Sequence, residues 1–134
     1  MMLVDAGPLV ALTDASDPNH DPCRHLLVRI QTRLLTVWPA FTEAMHLVRR
    51  SARAQDELMN LVERGAIGLA PLAADDMPRI RELIRKYRDL PMDFADAALV
   101  RVAERERIRR VFTLDRRDFQ VYRPRGLSRF DILP

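Results

Sequence analysis

Short apolar runs alternate with helix-forming segments along almost the whole chain. Residues 1–4, 34–38, 67–70 and 110–114 have the length and the side chains of buried strands, and a helical pattern follows each. Because a strand, a crossover helix and a second strand in one sheet usually run parallel, the sequence predicts an α/β fold. We expect a three-layer α/β/α sandwich with a mainly parallel sheet of about four or five short strands, the last at residues 130–133.

Turn-forming and capping residues predict where the helices begin and end. Residues 17–22 are rich in Asp, Asn and Pro and indicate a loop before a helix that starts at Cys23. Gly65 is a plausible helix stop, and Asp75 or Asp76 can cap the helix that carries Ile80 and Leu83. The clearest helix is predicted at residues 94–107, with Asp93 before it.

The length and the composition suit one folded domain. The chain has 134 residues, of which 48% are hydrophobic, so we expect a single domain over residues 1–134. The single cysteine, Cys23, cannot form an intrachain disulfide, and we find no signal-peptide pattern and no apolar run of membrane-spanning length. These features predict a cytoplasmic protein.

The positive charge is concentrated at the C-terminal end. Residues 101–134 contain ten Arg and five acids, whereas the whole chain has a net charge of only +3. Lys86 is the only lysine, so the preference for Arg can also reflect coding bias. A basic segment favours a polyanionic partner such as nucleic acid.

Four acids fall where chemistry usually occurs in a parallel sheet. Ligands of open parallel sheets bind beyond the carboxyl ends of the strands. Asp5 and Asp115 directly follow predicted strands, while Glu43 and Asp96 lie near the starts of predicted helices at the same edge. Four separate segments could therefore bring their carboxylates to one place.

Clustered carboxylates predict a bound cation. Like charges close together raise one another's pKa, and a divalent cation relieves that repulsion. The ligands would all be oxygen atoms, with no His or Cys at chelating spacing, which favours Mg²⁺ or Mn²⁺ over Zn²⁺. A water held by such an ion can act as a nucleophile.

Each acid also has a purely structural interpretation. Asp5 could be a helix-entry residue and Glu43 a solvated helix residue, while Asp93 could cap a helix in which Asp96 is the N3 acid. Asp115 and Asp118 could simply belong to a turn. Among the other conspicuous side chains, Trp38 and Phe112 are expected in the core.

The segments that carry the four acids, taken in their order along the chain, resemble the PIN domains. They resemble more closely the VapC-type toxins of toxin-antitoxin pairs. Residues 3–9 (LVDAGPL) resemble the opening strand and first acid of that family, and residues 41–44 (FTEA) resemble its second. Residues 92–98 (MDFADAA) and 113–119 (TLDRRDF) resemble the segments with the third and fourth acids. The resemblance covers nearly the whole chain.

The resemblance implies an endoribonuclease that hydrolyses RNA phosphodiester bonds with Mg²⁺ or Mn²⁺. Asp5, Glu43, Asp96 and Asp115 would be its catalytic metal ligands, and Asp93, Asp118 and Thr113 would have secondary roles. Phosphate contacts would come from Arg116 and Arg117, within a wider basic surface of Arg109, Arg110, Arg123, Arg125 and Arg129. The family also implies an RNA substrate, a cognate antitoxin and a homodimer.

Other classes of protein remain possible on sequence grounds. A PIN-like module could have lost catalysis and bind only RNA or protein, although all four acids are present. A phosphoacceptor receiver domain needs a lysine near its last strands, where this chain has none. A dinucleotide-binding domain needs a glycine-rich loop, which does not follow Val4.

Overall fold

The computed structural model describes residues 1–134 and arranges five short strands in one sheet. Their order across the sheet is β3-β2-β1-β4-β5, and every neighbouring pair is parallel. The central strand is therefore the first in the chain. The strands are β1 (Met2–Val4), β2 (Leu34–Thr36), β3 (Ile67–Leu69), β4 (Arg110–Phe112) and β5 (Asp131–Leu133).

Seven helices and one 3₁₀ turn, Ala74–Asp76, connect the strands. None of the helices combines the length and the apolar character that crossing a bilayer requires. The helices are α1 (Ala6–Thr13), α2 (His20–Arg29), α3 (Trp38–Leu47), α4 (Ala52–Glu63), α5 (Met77–Lys86), α6 (Phe94–Glu106) and α7 (Arg116–Val121).

The helices pack on both faces of the sheet because the strand side chains alternate between two cores. Met2 and Val4 of β1 point into a core shared with α1, α2 and α4, whereas Leu3 points into a core shared with α5, α6 and α7. Helix α3 contributes Ala40 to one core and Ala44 to the other. The predicted three-layer α/β/α sandwich with a parallel sheet is confirmed.

Helix α6 is the most deeply buried helix, as its run of small residues predicts. Ala97, Ala98 and Leu99 are fully buried, and Val102 and Ala103 continue the buried face. The helix ends at Glu106 because Arg107 adopts a left-handed backbone conformation with φ 56°. This packing fixes the N-terminal turn of α6 at the carboxyl edge of the sheet, where Asp93 and Asp96 lie.

Two local predictions differ from the structure. Helix α2 begins at His20 rather than at Cys23, because Pro22 is accommodated in its first turn. The prediction that Trp38 belongs to the core is wrong, since its side chain is 56% exposed. Strand β2 ends at Thr36, Val37 is fully buried, and Trp38 is already the first residue of α3. Phe112 is fully buried, as predicted.

Candidate metal centre

The carboxyl edge of the central strands forms an acidic cavity of about 380 Å³. Asp5 follows β1, Glu43 lies in the second turn of α3, and Asp115 precedes α7. Asp93 and Asp96 both come from the start of α6. The structure therefore brings the four predicted ligands and Asp93 to the walls of one cavity, which we call the acidic cavity: Asp5, Glu43, Asp93, Asp96 and Asp115.

Asp5 is the most constrained of these acids. Its side chain caps α1 by accepting the Ala6 N–H at 2.8 Å, and its second oxygen accepts the Thr113 hydroxyl at 2.8 Å. The same hydroxyl accepts the Asp115 N–H at 3.0 Å, so Thr113 joins the acids that follow β1 and β4. Burial raises the pKa of Asp5 above its ordinary value, although the two hydrogen bonds oppose that effect.

Asp96 is buried and is held by a tyrosine that the sequence did not suggest. The Tyr122 hydroxyl donates a hydrogen bond of 2.9 Å to Asp96 Oδ2. Burial raises the pKa of Asp96 to about 8, with the charges of Asp5 and Asp93 adding to the effect. Burial also raises the pKa of Tyr122, so its hydroxyl keeps its proton and remains a donor at neutral pH.

Glu43 and Asp93 both line the acidic cavity and lie near enough for their charges to interact. Asp93 accepts the Asp96 N–H at 2.8 Å and so caps α6, which supports the structural interpretation of this residue. Burial raises the pKa of Glu43, and the negative charges of Asp93 and Asp5 raise it further. The Asp93 carboxylate therefore both caps α6 and lines the acidic cavity.

Asp118 lies closer to the cluster than its secondary role in the resemblance implies. Asp96, Asp115 and Asp118 each offer one carboxylate oxygen, and these three atoms lie within 4.8 Å of one another. Burial, followed by the neighbouring Asp118, raises the pKa of Asp115. Asp5 and Glu43 line the same cavity outside this closest group.

No cation of the protein neutralises this cluster. Seven ion pairs are formed, and none involves an acid of the acidic cavity or Asp118. The buried Asp76 shows the contrasting arrangement, because Arg101 and Arg105 both pair with it. Burial alone would raise the pKa of Asp76, but hydrogen bonds from the Ala73 N–H and the two arginines hold it below its ordinary value. Negative charge is therefore compensated inside the protein at Asp76 and left uncompensated in the acidic cavity.

The donor set fits a hard divalent cation. All the candidate ligands are carboxylate oxygens, and the closest three are near enough together to contact one ion. Cys23 is not a competing site, since it is buried and burial raises the pKa of its thiol to about 11. An acidic cluster that could hold a metal ion is thus present at the edge where the sequence predicted one.

The predicted phosphate-binding arginines occupy different places. Arg116 donates to the Pro134 carbonyl oxygen at 3.2 Å, and Arg109 pairs with Asp131. A separate basic cleft of about 750 Å³ lies between α5 and the segment that follows α7, and it shares no lining residue with the acidic cavity. Its cations are Arg79, Lys86, Arg123, Arg125 and Arg129.

Comparison with known proteins identifies the family and the fold. No family model matches the chain. Ribonuclease VapC26 of Mycobacterium tuberculosis (strain ATCC 25618 / H37Rv) is 33% identical over 135 aligned positions, which cover 99% of this chain and 100% of that relative. The crystal structure of Mycobacterium tuberculosis VapC20, a Sarcin-Ricin loop cleaving toxin, superposes with a TM-score of 0.76 at 18% identity. That match covers 83% of this chain and 87% of the other, and it shows a shared fold. Because the first relative matches along its full length, the chain belongs to the VapC family of PIN-domain ribonuclease toxins.

Proposed function

We propose that this VapC-family chain is a divalent-metal-dependent endoribonuclease and the toxin of a VapBC-type toxin-antitoxin pair. The observation that carries the proposal is the acidic cavity, in which two buried carboxylates and three exposed ones converge and none of them forms an ion pair with a protein cation. A cluster of this kind is unfavourable for folding unless it binds something positive. A bound cation that takes part in the reaction therefore explains why these carboxylates are clustered.

The ion would be Mg²⁺ or Mn²⁺, held by Asp5, Glu43, Asp96 and Asp115. We include Asp118 as a further candidate ligand, because its carboxylate belongs to the closest group of oxygen atoms. When bound, such an ion lowers the pKa of a coordinated water and stabilises negative charge on a phosphodiester during hydrolysis.

The remaining residues of the site position these carboxylates. Thr113 fixes one oxygen of Asp5 and the backbone of Asp115, and Tyr122 fixes one oxygen of Asp96. Asp93 holds the first turn of α6 in place through its cap. Such supporting hydrogen bonds commonly affect metal affinity by about 10- to 100-fold.

The proposal extends to the partners of the chain. Arg116 and Arg117 directly follow Asp115 at the start of α7, are exposed, and are proposed to contact substrate phosphates. We further propose a cognate antitoxin that masks the acidic cavity, a homodimer, a cytoplasmic location, and a single PIN domain over residues 1–134.

Cleavage of RNA by the purified chain tests the proposal. Total RNA is incubated with the wild-type chain and with Asp96→Asn, in Mg²⁺, in Mn²⁺ and in chelator. Asp75→Asn is a matched control, because Asp75 is an exposed acid outside the acidic cavity. We expect metal-dependent cleavage by the wild type and by the control, and no cleavage by Asp96→Asn. Binding of RNA without any cleavage would instead identify a catalytically inactive RNA-binding module.

A further inference from the structure

Two exposed aromatic side chains line one cleft beside the acidic cavity. Trp38 is 56% exposed and Phe94 is 39% exposed, and they are the only aromatic residues among the exposed large hydrophobic side chains. Both line a shallow cleft of about 520 Å³, which we call the aromatic cleft. Single exposed apolar residues are ordinary, but two aromatic rings in one cleft call for an explanation.

The fold places both rings at the same edge as the carboxylates. Trp38 is the first residue of α3 and Phe94 is the first residue of α6, and the two helices pack against each other. Glu43 and Asp93 line the aromatic cleft and the acidic cavity alike, so the two spaces adjoin. A group bound in the aromatic cleft would therefore adjoin whatever is bound at the carboxylates.

The chemistry of the aromatic cleft suits a base and not a phosphate. No lysine or arginine lines it, and its two charged residues, Glu43 and Asp93, are both acids. Aromatic faces stack on bases of any sequence, and the Thr42 hydroxyl and the two carboxylates offer hydrogen-bonding partners for a base edge. The ribose alone separates the base of a nucleotide from its phosphate, which matches two adjoining spaces, one with aromatic rings and one with a cluster of carboxylates.

We propose that Trp38 and Phe94 form a stacking platform for an unpaired base of the RNA substrate, next to the phosphodiester held at the acidic cavity. This inference rests on the proposed ribonuclease function and adds a substrate-positioning element to it. It predicts that the cleaved RNA has a flipped-out or single-stranded base beside the cut.

Trp38 is the only tryptophan of the chain, so its fluorescence reports on the aromatic cleft alone. The probes are oligo(A), oligo(C), oligo(G), oligo(U) and a hairpin whose loop contains all four bases, titrated into full-length Asp96→Asn with Mg²⁺. We expect at least one probe to quench Trp38 emission over the concentration range in which filter binding detects the complex. Emission that stays constant while RNA is retained on the filter, or the absence of binding by every probe, would overturn the stacking platform.

Cleavage of total RNA provides the second measurement. Trp38→Ala should lose about 5- to 150-fold in kcat/KM, the range that one base stack contributes, while Trp38→Phe keeps an aromatic face and most of the activity. Val28→Ala is the control, because Val28 is 75% exposed and lines neither space. Equal cleavage by Trp38→Ala and the wild type would overturn the platform and leave the proposed function standing.

Two further outcomes separate the possible failures. If the wild-type chain quenches on RNA but never cleaves it, the platform is supported and the proposed ribonuclease function fails. Sedimentation of the wild type and of Trp38→Ala tests whether a second copy of this chain occupies the aromatic cleft instead of a base. A dimer that dissociates in Trp38→Ala would show that the aromatic cleft is a protein interface, and the platform would be rejected.

Discussion

The hydroxyl of Tyr122 donates a hydrogen bond of 2.9 Å to Asp96 Oδ2 from a position 26 residues further along the chain. Tyr122 also packs edge-on against Tyr87 and Phe119, with ring centroids 5.0 Å and 5.1 Å away. An aromatic cluster on one face of the sheet thus extends to the acidic cavity and orients one of its buried carboxylates. Packing in this core and the geometry of the acidic cavity are linked through a single phenol.

Tyr122→Phe should therefore weaken metal binding with little loss of folding. The change removes a donor that lowers the pKa of Asp96, so the carboxyl will ionise at higher pH and bind Mn²⁺ less tightly near pH 7. We expect a loss of about 1 kcal/mol in the free energy of unfolding. Titration calorimetry with Mn²⁺ from pH 6 to pH 9 measures the effect. Tyr87→Phe is the control, and equal Mn²⁺ affinity in both variants at every pH would contradict this role.

The stability of the metal-free protein should fall as the pH rises. The pKa of Asp96 is about 8 in the folded protein, against an ordinary value of 3.8, so between these values the folded state binds more protons than the unfolded state. Its contribution to stability is complete below about pH 4 and is lost as the pH rises through about 8. Asp5 acts in the same direction. Since a tenfold change in proton affinity corresponds to about 1.4 kcal/mol, the loss from Asp96 amounts to several kcal/mol at most.

Urea unfolding in chelator over this pH range measures that loss. Asp96→Asn has no proton to bind at this position, so its stability should change much less with pH. Saturating Mn²⁺ should remove the decline in the wild type, because the ion favours the ionised carboxylates. A metal-free wild type that gains stability between pH 5 and pH 8 would show that other groups dominate.

Thr113→Val should release two of the acids that line the acidic cavity from their shared hydrogen-bond partner. Thr113 is only 1% exposed, and its hydroxyl both donates to Asp5 and accepts the Asp115 N–H. Valine keeps the shape but leaves the Asp5 oxygen and the Asp115 N–H without that partner, at a cost of about 1 to 3 kcal/mol. Metal affinity should fall by about 10- to 100-fold, as measured by calorimetry. Thr113→Ser retains the hydroxyl and should bind metal nearly normally; a similar loss in both variants would point to packing instead.

Asp118→Asn should reduce metal affinity to a degree comparable with Asp115→Asn. The two carboxylates and that of Asp96 provide the closest group of oxygen atoms, so an ion held there contacts all three. Competition of Mn²⁺ against a fluorescent chelator measures the affinities, with Asp75→Asn as the control. Unchanged affinity in Asp118→Asn, together with a loss in Glu43→Gln, would place the ion at the Glu43 side of the cavity.

Asp76→Asn should lower the stability of the protein without reducing its ribonuclease activity. Asp76 is 4% exposed and pairs with Arg101 and Arg105, so its neutralisation leaves Arg101 without an acidic partner and Arg105 with only the pair to Glu106. Breaking a buried pair of this kind costs about 3 to 5 kcal/mol. Thermal unfolding should show a clear decrease in Tm, while the kcat/KM for RNA measured well below that Tm stays close to the wild-type value. A selective loss of kcat/KM would contradict the structural role.

The fold could be predicted from local patterns because each strand and its following helix are encoded within a few residues. The alternation of apolar runs and helical patterns placed all five strands, and the position of acids after strand ends predicted the edge at which Asp5 and Asp115 lie. The error at Trp38 arose because a large aromatic next to a strand resembles a core residue, whereas the following Pro39 marked the first turn of a helix.

Contacts between distant residues could not be predicted in the same way. The spacing of Tyr122 and Asp96 carries no information on their contact, which depends on how α6 and α7 pack. The proximity of Asp115 and Asp118 was easier to predict, because residues three apart share a helix face. Thr113 was suggested by the resemblance, but its two hydrogen bonds depend on the pairing of β1 with β4.

The link between Thr113 and Asp5 spans 108 positions of the sequence. During translation, Asp5 leaves the ribosome long before the strand that pairs with β1 has been made. The acidic cavity can form only after β4 and α7 have emerged, because a nascent or prematurely terminated chain that ends before β4 lacks Asp115 and the neighbouring Asp118. A ribonuclease with this topology would stay inert towards RNA until translation has passed α7.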